Sequence, residues 1–98
     1  MQRMFVILVH YTKRWEEVEP DVEDHKTYLE RFYASGHLLF SGPQTTRTGG
    51  VILGRFDSED EAWEMVKGDP FYTRGLAKYD VISFRATKAA PEFRELLG

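Results

Sequence analysis

The sequence contains no cysteine. That absence excludes disulfide scaffolds, thiolate nucleophiles and Cys-ligated zinc or iron–sulfur centres together. A surplus of positive charge is also missing: 13 Lys and Arg stand against 16 Asp and Glu, for a net charge of −3. A nucleic-acid binder of this size normally carries a basic excess, so no nucleic-acid partner is expected. Long apolar runs are absent too. The clearest, Met4 to Val9, falls far short of the ~20 residues of a membrane helix, so no membrane partner is expected. Arg3 before this run gives a superficial likeness to a signal peptide. No small-residue cleavage site follows, however, and His10, Tyr11 and Lys13 come too soon. The expectation is a cytoplasmic protein.

What is present is ordinary for a folded chain: 98 residues, 42% hydrophobic and 30% charged. This length and composition predict one domain over residues 1–98, with a short C-terminal tail from 88. Met4 to Tyr11 is rich in β-branched and aromatic residues without alternation, the pattern of a strand buried on both faces. Pro20 and the carboxylates around it suit a helix start. Val22, His25, Leu29 and Phe32 then fall on one stripe, and Gly36 ends a helix running roughly from Pro20 to Ser35. A second strand reads from His37 to Ser41, closed by Gly42-Pro43, and a third from Val51 to Phe56. Asp57-Ser58 caps a second helix that ends at Lys67-Gly68, and Asp69-Pro70 prevents its continuation. Leu76 to Arg85 supplies the fourth strand. After Pro91, Phe93, Leu96 and Leu97 have the spacing of a short docking helix.

The order β-α-β-β-α-β predicts an α+β, ferredoxin-like unit: an antiparallel sheet with both helices on one face. Helices on one face leave the other uncovered, yet strands one and three are apolar on both. A second copy of the chain is the simplest cover, so a homodimer with facing sheets is expected.

Connectivity also predicts where chemistry gathers. The start of the first helix (His25), the end of strand two (Ser41, Gly42, Pro43), the end of helix two (Asp69, Pro70) and the end of strand one (His10, Tyr11) share one end of the fold. His37 falls at the other. An imidazole whose one nitrogen is held by a carboxylate keeps the second free for proton transfer, which makes His25 and Asp69 the candidate acid–base pair. The plain alternatives are a hydrogen-bonded core histidine and a turn aspartate before proline. Ser41 completes no hydrolase triad, because no Gly-x-Ser-x-Gly elbow surrounds it; a hydroxyl satisfying its own turn is the simpler reading. The Gly42–Gly50 loop lacks the Gly-Lys-Ser/Thr of a phosphate cradle. Three histidines without i, i+4 spacing suggest no metal site, and no cofactor is expected. Phe5, Phe40, Phe71 and Tyr72 are candidates to line a ligand pocket.

The Asp24-His25 helix, the segment Gly36-His-Leu-Leu-Phe-Ser-Gly-Pro43, and Gly68-Asp-Pro-Phe71 with Gly75 downstream occur in an order that resembles the YciI-like (YCII-related) family. The resemblance spans strand one to strand four. It implies a ferredoxin-like fold forming a dimeric α+β barrel, and an active site on a histidine–aspartate pair that maps onto His25 and Asp69. The Ser41-Gly42-Pro43 turn matches the family's pocket wall, with Phe71 and Tyr11 beside it as substrate-binding candidates. Relatives include a dehydrochlorinase acting on chlorinated hydroxybenzenes. The implied function is acid–base chemistry (elimination, isomerisation or a related proton transfer) on a small aromatic or hydroxylated molecule. The alternative is a non-catalytic dimeric binding or accessory module. Two departures stand out: a shortened turn over Thr45 to Gly50, and the extra tail after Pro91.

Overall fold

The computed structural model describes residues 3–97. Four strands, β1 (Arg3–Tyr11), β2 (Leu38–Pro43), β3 (Gly49–Phe56) and β4 (Ala77–Phe84), form one sheet in the order β2-β3-β1-β4. Every neighbouring pair is antiparallel. This is the ferredoxin-like α+β arrangement, and the most apolar strand, β1, takes a central place. A bulge between Leu38 and Phe40 lets Leu38 oppose Gly54 while Phe40 opposes Leu53.

The helices are α1 (Trp15–Val18), α2 (Val22–Ala34), α3 (Glu59–Gly68) and α4 (Pro70–Thr73). Side chains alternate across a strand, so Phe5, Ile7 and Val9 of β1 share one face with Ile52 and Phe56 of β3. These bury against Val18, Leu29, Ala62, Met65, Val66 and Phe71 from the helical layer. On the opposite face Phe40, Val51, Ile82 and Phe84 remain exposed. No helix among the described residues is long and apolar enough to cross a membrane.

Several boundaries differ from the sequence reading. Helical structure starts at Trp15 rather than Pro20: one α-helical turn runs into a 3₁₀ turn at Glu19–Asp21 and then into α2. Pro20 sits where its missing N–H costs nothing, so it links two helical pieces instead of opening one. β2 continues through Gly42 and Pro43, which pair with Val51 and Gly50. Asp69-Pro70 ends α3 as expected but also starts α4, because Asp69 is its N-cap and Pro70 occupies the first turn. Gly36, at φ +83°, follows the end of α2 in the left-handed region that only glycine enters without strain. The tail folds as a 3₁₀ segment at Pro91–Leu96 with no buried residue, and Phe93 meets Phe40 edge-on.

Candidate active site

Three elements bring His25 and Asp69 together. Asp69 leaves α3 in extended conformation, and its carboxylate Oδ1 accepts from the Phe71 backbone N–H at 2.9 Å, capping α4. The same carboxylate meets His25 Nδ1 of α2, with Oδ1 at 2.9 Å and Oδ2 at 2.8 Å. An ionised carboxylate only accepts, so Nδ1 carries the proton and donates it. Phe71 lies flat against the imidazole, 4.0 Å between centroids and 1° from parallel. The ring is thus held at an edge and on a face, which fixes its rotation and tautomer.

The surroundings hold these elements in register. Arg74, just past α4, donates to Asp21 and Asp24 at the start of α2, and those carboxylates hold its guanidinium more firmly protonated than usual. Tyr28, one turn beyond His25, donates to the Met65 carbonyl. A side chain at Gly68 would place its Cβ 2.3 Å from the Tyr28 hydroxyl, so only glycine admits this approach of α2 to the end of α3. Burial raises the Tyr28 pKa, with nearby Arg31 opposing the shift. Close to Asp69 lies Tyr79, whose buried hydroxyl makes no hydrogen bond of good geometry among the described residues. Desolvation first, and the Asp69 charge second, push its pKa well up.

Asp69 is 1% exposed, while the His25 side chain is 15% exposed. That difference is structural: the imidazole forms part of the wall of a cavity of about 740 Å³, and the carboxylate sits behind it. The volume lies within the ~300–1,000 Å³ typical of small-molecule pockets. Tyr11, Ser41, Gly42, Pro43 and Phe71 line the same cavity, so the structure brings these residues to His25. Tyr11 stacks on Trp15 and meets Phe71 edge-on, making a continuous aromatic wall from Trp15 to His25. Burial raises the Tyr11 pKa. Ser41 does not satisfy its own turn; its hydroxyl pairs with that of Tyr33.

Other candidates lie elsewhere. Phe5 is core, Phe40 projects from the opposite sheet face, and exposed Tyr72 packs on Tyr79; none lines the cavity. His10 ends the same strand as Tyr11 but points to the opposite face, where its Nε2 meets Asp80 Oδ2 at 2.9 Å. His37 borders a separate, smaller cavity with Phe56 and Glu61. The lining residues that escaped the sequence reading include Trp15 and Arg47. The carboxylates after Trp15 are a first-turn signal that could have revealed its helix. Arg47 gave no signal at all. Its φ of 59° is a left-handed conformation that costs a non-glycine residue roughly 1 kcal/mol.

The YCII-related domain model matches residues 4–85. The chain belongs to the YCII-related domain family. It is 26% identical over 84 residues to the uncharacterized protein YjpA of Bacillus subtilis (strain 168), covering 86% of this chain and 96% of that protein. Among solved structures, this YCII-related fold resembles the 5-chloro-2-hydroxyhydroquinone dehydrochlorinase TftG of Burkholderia phenoliruptrix AC1100, in complex with 2,5-dihydroxybenzoquinone. The TM-score is 0.70 at 24% identity, covering 88% of this chain and 95% of that one. SnoaB, a cofactor-independent oxygenase from Streptomyces nogalater, has a TM-score of 0.53 at 13% identity, covering 92% and 97%. At these identities the likeness is one of fold.

Proposed function

We propose that this YCII-related protein is a small acid–base enzyme acting on a small aromatic or hydroxylated molecule, by elimination, isomerisation or a related proton transfer. The observation that carries this reading is the position of His25 between a buried carboxylate and an open cavity. With Nδ1 donating to Asp69, Nε2 has the lone pair that can take a proton from a substrate. Asp69 stabilises the imidazolium that results, and the same nitrogen returns the proton later in the cycle. The aromatic wall of Trp15, Tyr11 and Phe71 offers stacking surface to a flat ring, and Ser41, Gly42 and Pro43 line the same cavity. TftG supplies the first substrate to try, 5-chloro-2-hydroxyhydroquinone.

The second reading, a non-catalytic binding module, draws on Asp69 also being the cap of α4. Chloride release from that substrate, followed in wild type, His25→Ala and Asp69→Asn, separates the two. The enzyme reading expects the variants to lose roughly 10²- to 10⁴-fold in rate, the usual contribution of general acid–base assistance. Binding of this substrate without chloride release by wild type would favour the binding module, and release unchanged by both substitutions would remove the His25–Asp69 mechanism.

The homodimer belongs to the same proposal. Phe40, Val51, Ile82 and Phe84 give the open sheet face an apolar surface suited to a second sheet. Light scattering at micromolar concentration should return the mass of two chains; the mass of one would remove this part.

A further inference from the structure

The cavity mouth carries charge that the acid–base chemistry does not use. Four ionisable side chains line it besides His25 and Tyr11: Glu19, Glu23, Lys26 and Arg47. Lys26 and Glu23 are about one helical turn apart and face each other at 3.8 Å, so their charges largely cancel. Glu19 is an exposed carboxylate on the 3₁₀ turn before α2. Arg47 is exposed as well, but it rests on an aromatic ring. Its guanidinium lies over the Trp15 ring, 5.8 Å from the centroid, and Trp15 is itself stacked on Tyr11. Its backbone is fixed in the left-handed region at the tip of the β2–β3 hairpin, with its N–H donating to the Gln44 carbonyl at 2.9 Å. No carboxylate pairs with it among the described residues; the same holds for Arg31 and Arg55, and what sets Arg47 apart is that it lines the cavity. The turn and the cation–π contact account for where the guanidinium lies, and they leave its hydrogen-bond donors at the cavity without a carboxylate among the described residues.

We propose that Arg47 is a specificity-determining residue of this cavity, and that the ligand is an aromatic ring bearing an acidic group such as a carboxylate. The ring stacks on the wall of Trp15, Tyr11 and Phe71, and the acidic group reaches the guanidinium fork. Arginine suits this role because its planar donors match a carboxylate in pairs, while its face remains free to lie on the indole. The inference rests on the cavity being a small-molecule site, as the proposed function has it, and adds the charge of what enters.

The test is calorimetric titration of the whole protein with 2,5-dihydroxybenzoate and with its uncharged counterpart 2,5-dihydroxybenzamide. Wild type should bind the benzoate at least about tenfold more tightly, the scale of one charge-assisted hydrogen bond. Arg47→Asn should reduce that ratio to near one, since asparagine tolerates the left-handed conformation and keeps the hairpin. Unchanged thermal denaturation would show that the fold is intact. Arg47→Lys, which keeps charge but not the fork, should fall between. Equal binding of both probes to wild type, or discrimination that survives in Arg47→Asn, overturns the inference while leaving the small-molecule site standing. Binding of neither probe overturns both.

Discussion

Two histidine–aspartate pairs lie in this molecule at nearly the same distance, and their settings differ in almost every other respect. His25 and Asp69 meet at 2.8 Å with side chains 15% and 1% exposed. His10 and Asp80 meet at 2.9 Å with side chains 49% and 66% exposed. The second pair joins adjacent strands on the open sheet face, where water solvates both partners and screens their charge. The first pair has a carboxylate withdrawn from water, a capping bond to a backbone N–H, an aromatic ring against the imidazole and a cavity beyond it. Separation alone says little about such a pair; surroundings decide whether it stores stability, moves protons or does neither.

The largest expected effect is on turnover. His25→Ala should cost the 10²- to 10⁴-fold expected of a lost general base, about 3–5 kcal/mol of barrier, in the chloride-release assay. His10→Ala in the same assay should leave the rate within about twofold. Equal losses in the two variants would erase the distinction.

Stability should separate the pairs next. Asp69→Ala removes a helix cap worth ~1 kcal/mol and a buried charge-assisted hydrogen bond worth ~1.5–3 kcal/mol, so urea denaturation should register a loss of about 2–4 kcal/mol. Asp80→Ala breaks an exposed ion pair and should cost under ~1 kcal/mol, less at high salt. Comparable losses would mean that the open face is covered in solution, which would sharpen the case for the dimer.

The smallest effect concerns pH. Tyr79 sits beside Asp69, and burial with that charge raises its pKa above the 10.0 of a free tyrosine. A raised folded-state pKa means that the native chain keeps its proton where the unfolded chain has lost it. Stability from this source is therefore full below pH 10 and declines as pH rises through and above 10. Denaturation midpoints of Tyr79→Phe should fall less steeply over pH 10 to 11 than those of wild type. A residual slope should persist, because Tyr11 and Tyr28 also have raised pKa values.

Much of this was legible in the chain. Apolar runs rich in β-branched and aromatic residues, the Ser58 cap, Gly36 and the β-α-β-β-α-β order lead to the sheet and to the face its helices occupy. The same topology puts His25, Ser41, Pro43 and Asp69 at one end, because a strand's end and the helix that follows it must be neighbours. Where the reading stopped short, the signals were local but doubly used. Asp69-Pro70 terminates one helix and caps the next, and either role accounts for the dipeptide. Trp15 lies in a one-turn helix too short for periodicity to show. Phe5, Phe40 and Phe71 are chemically alike, and only register tells core, open face and cavity wall apart.

The sequence by itself determined the class of fold, the absence of cysteine chemistry and the end of the molecule where an imidazole and a carboxylate gather. These follow from propensities and connectivity, which act over a few residues or along the chain order. Tertiary structure alone decided that Asp69 is sealed while His25 opens to a cavity. It also decided that His10 turns away, and that Arg47 comes to rest on Trp15. Burial and cavity shape arise from packing between elements distant in sequence, and no local pattern encodes which side of a ring will face water.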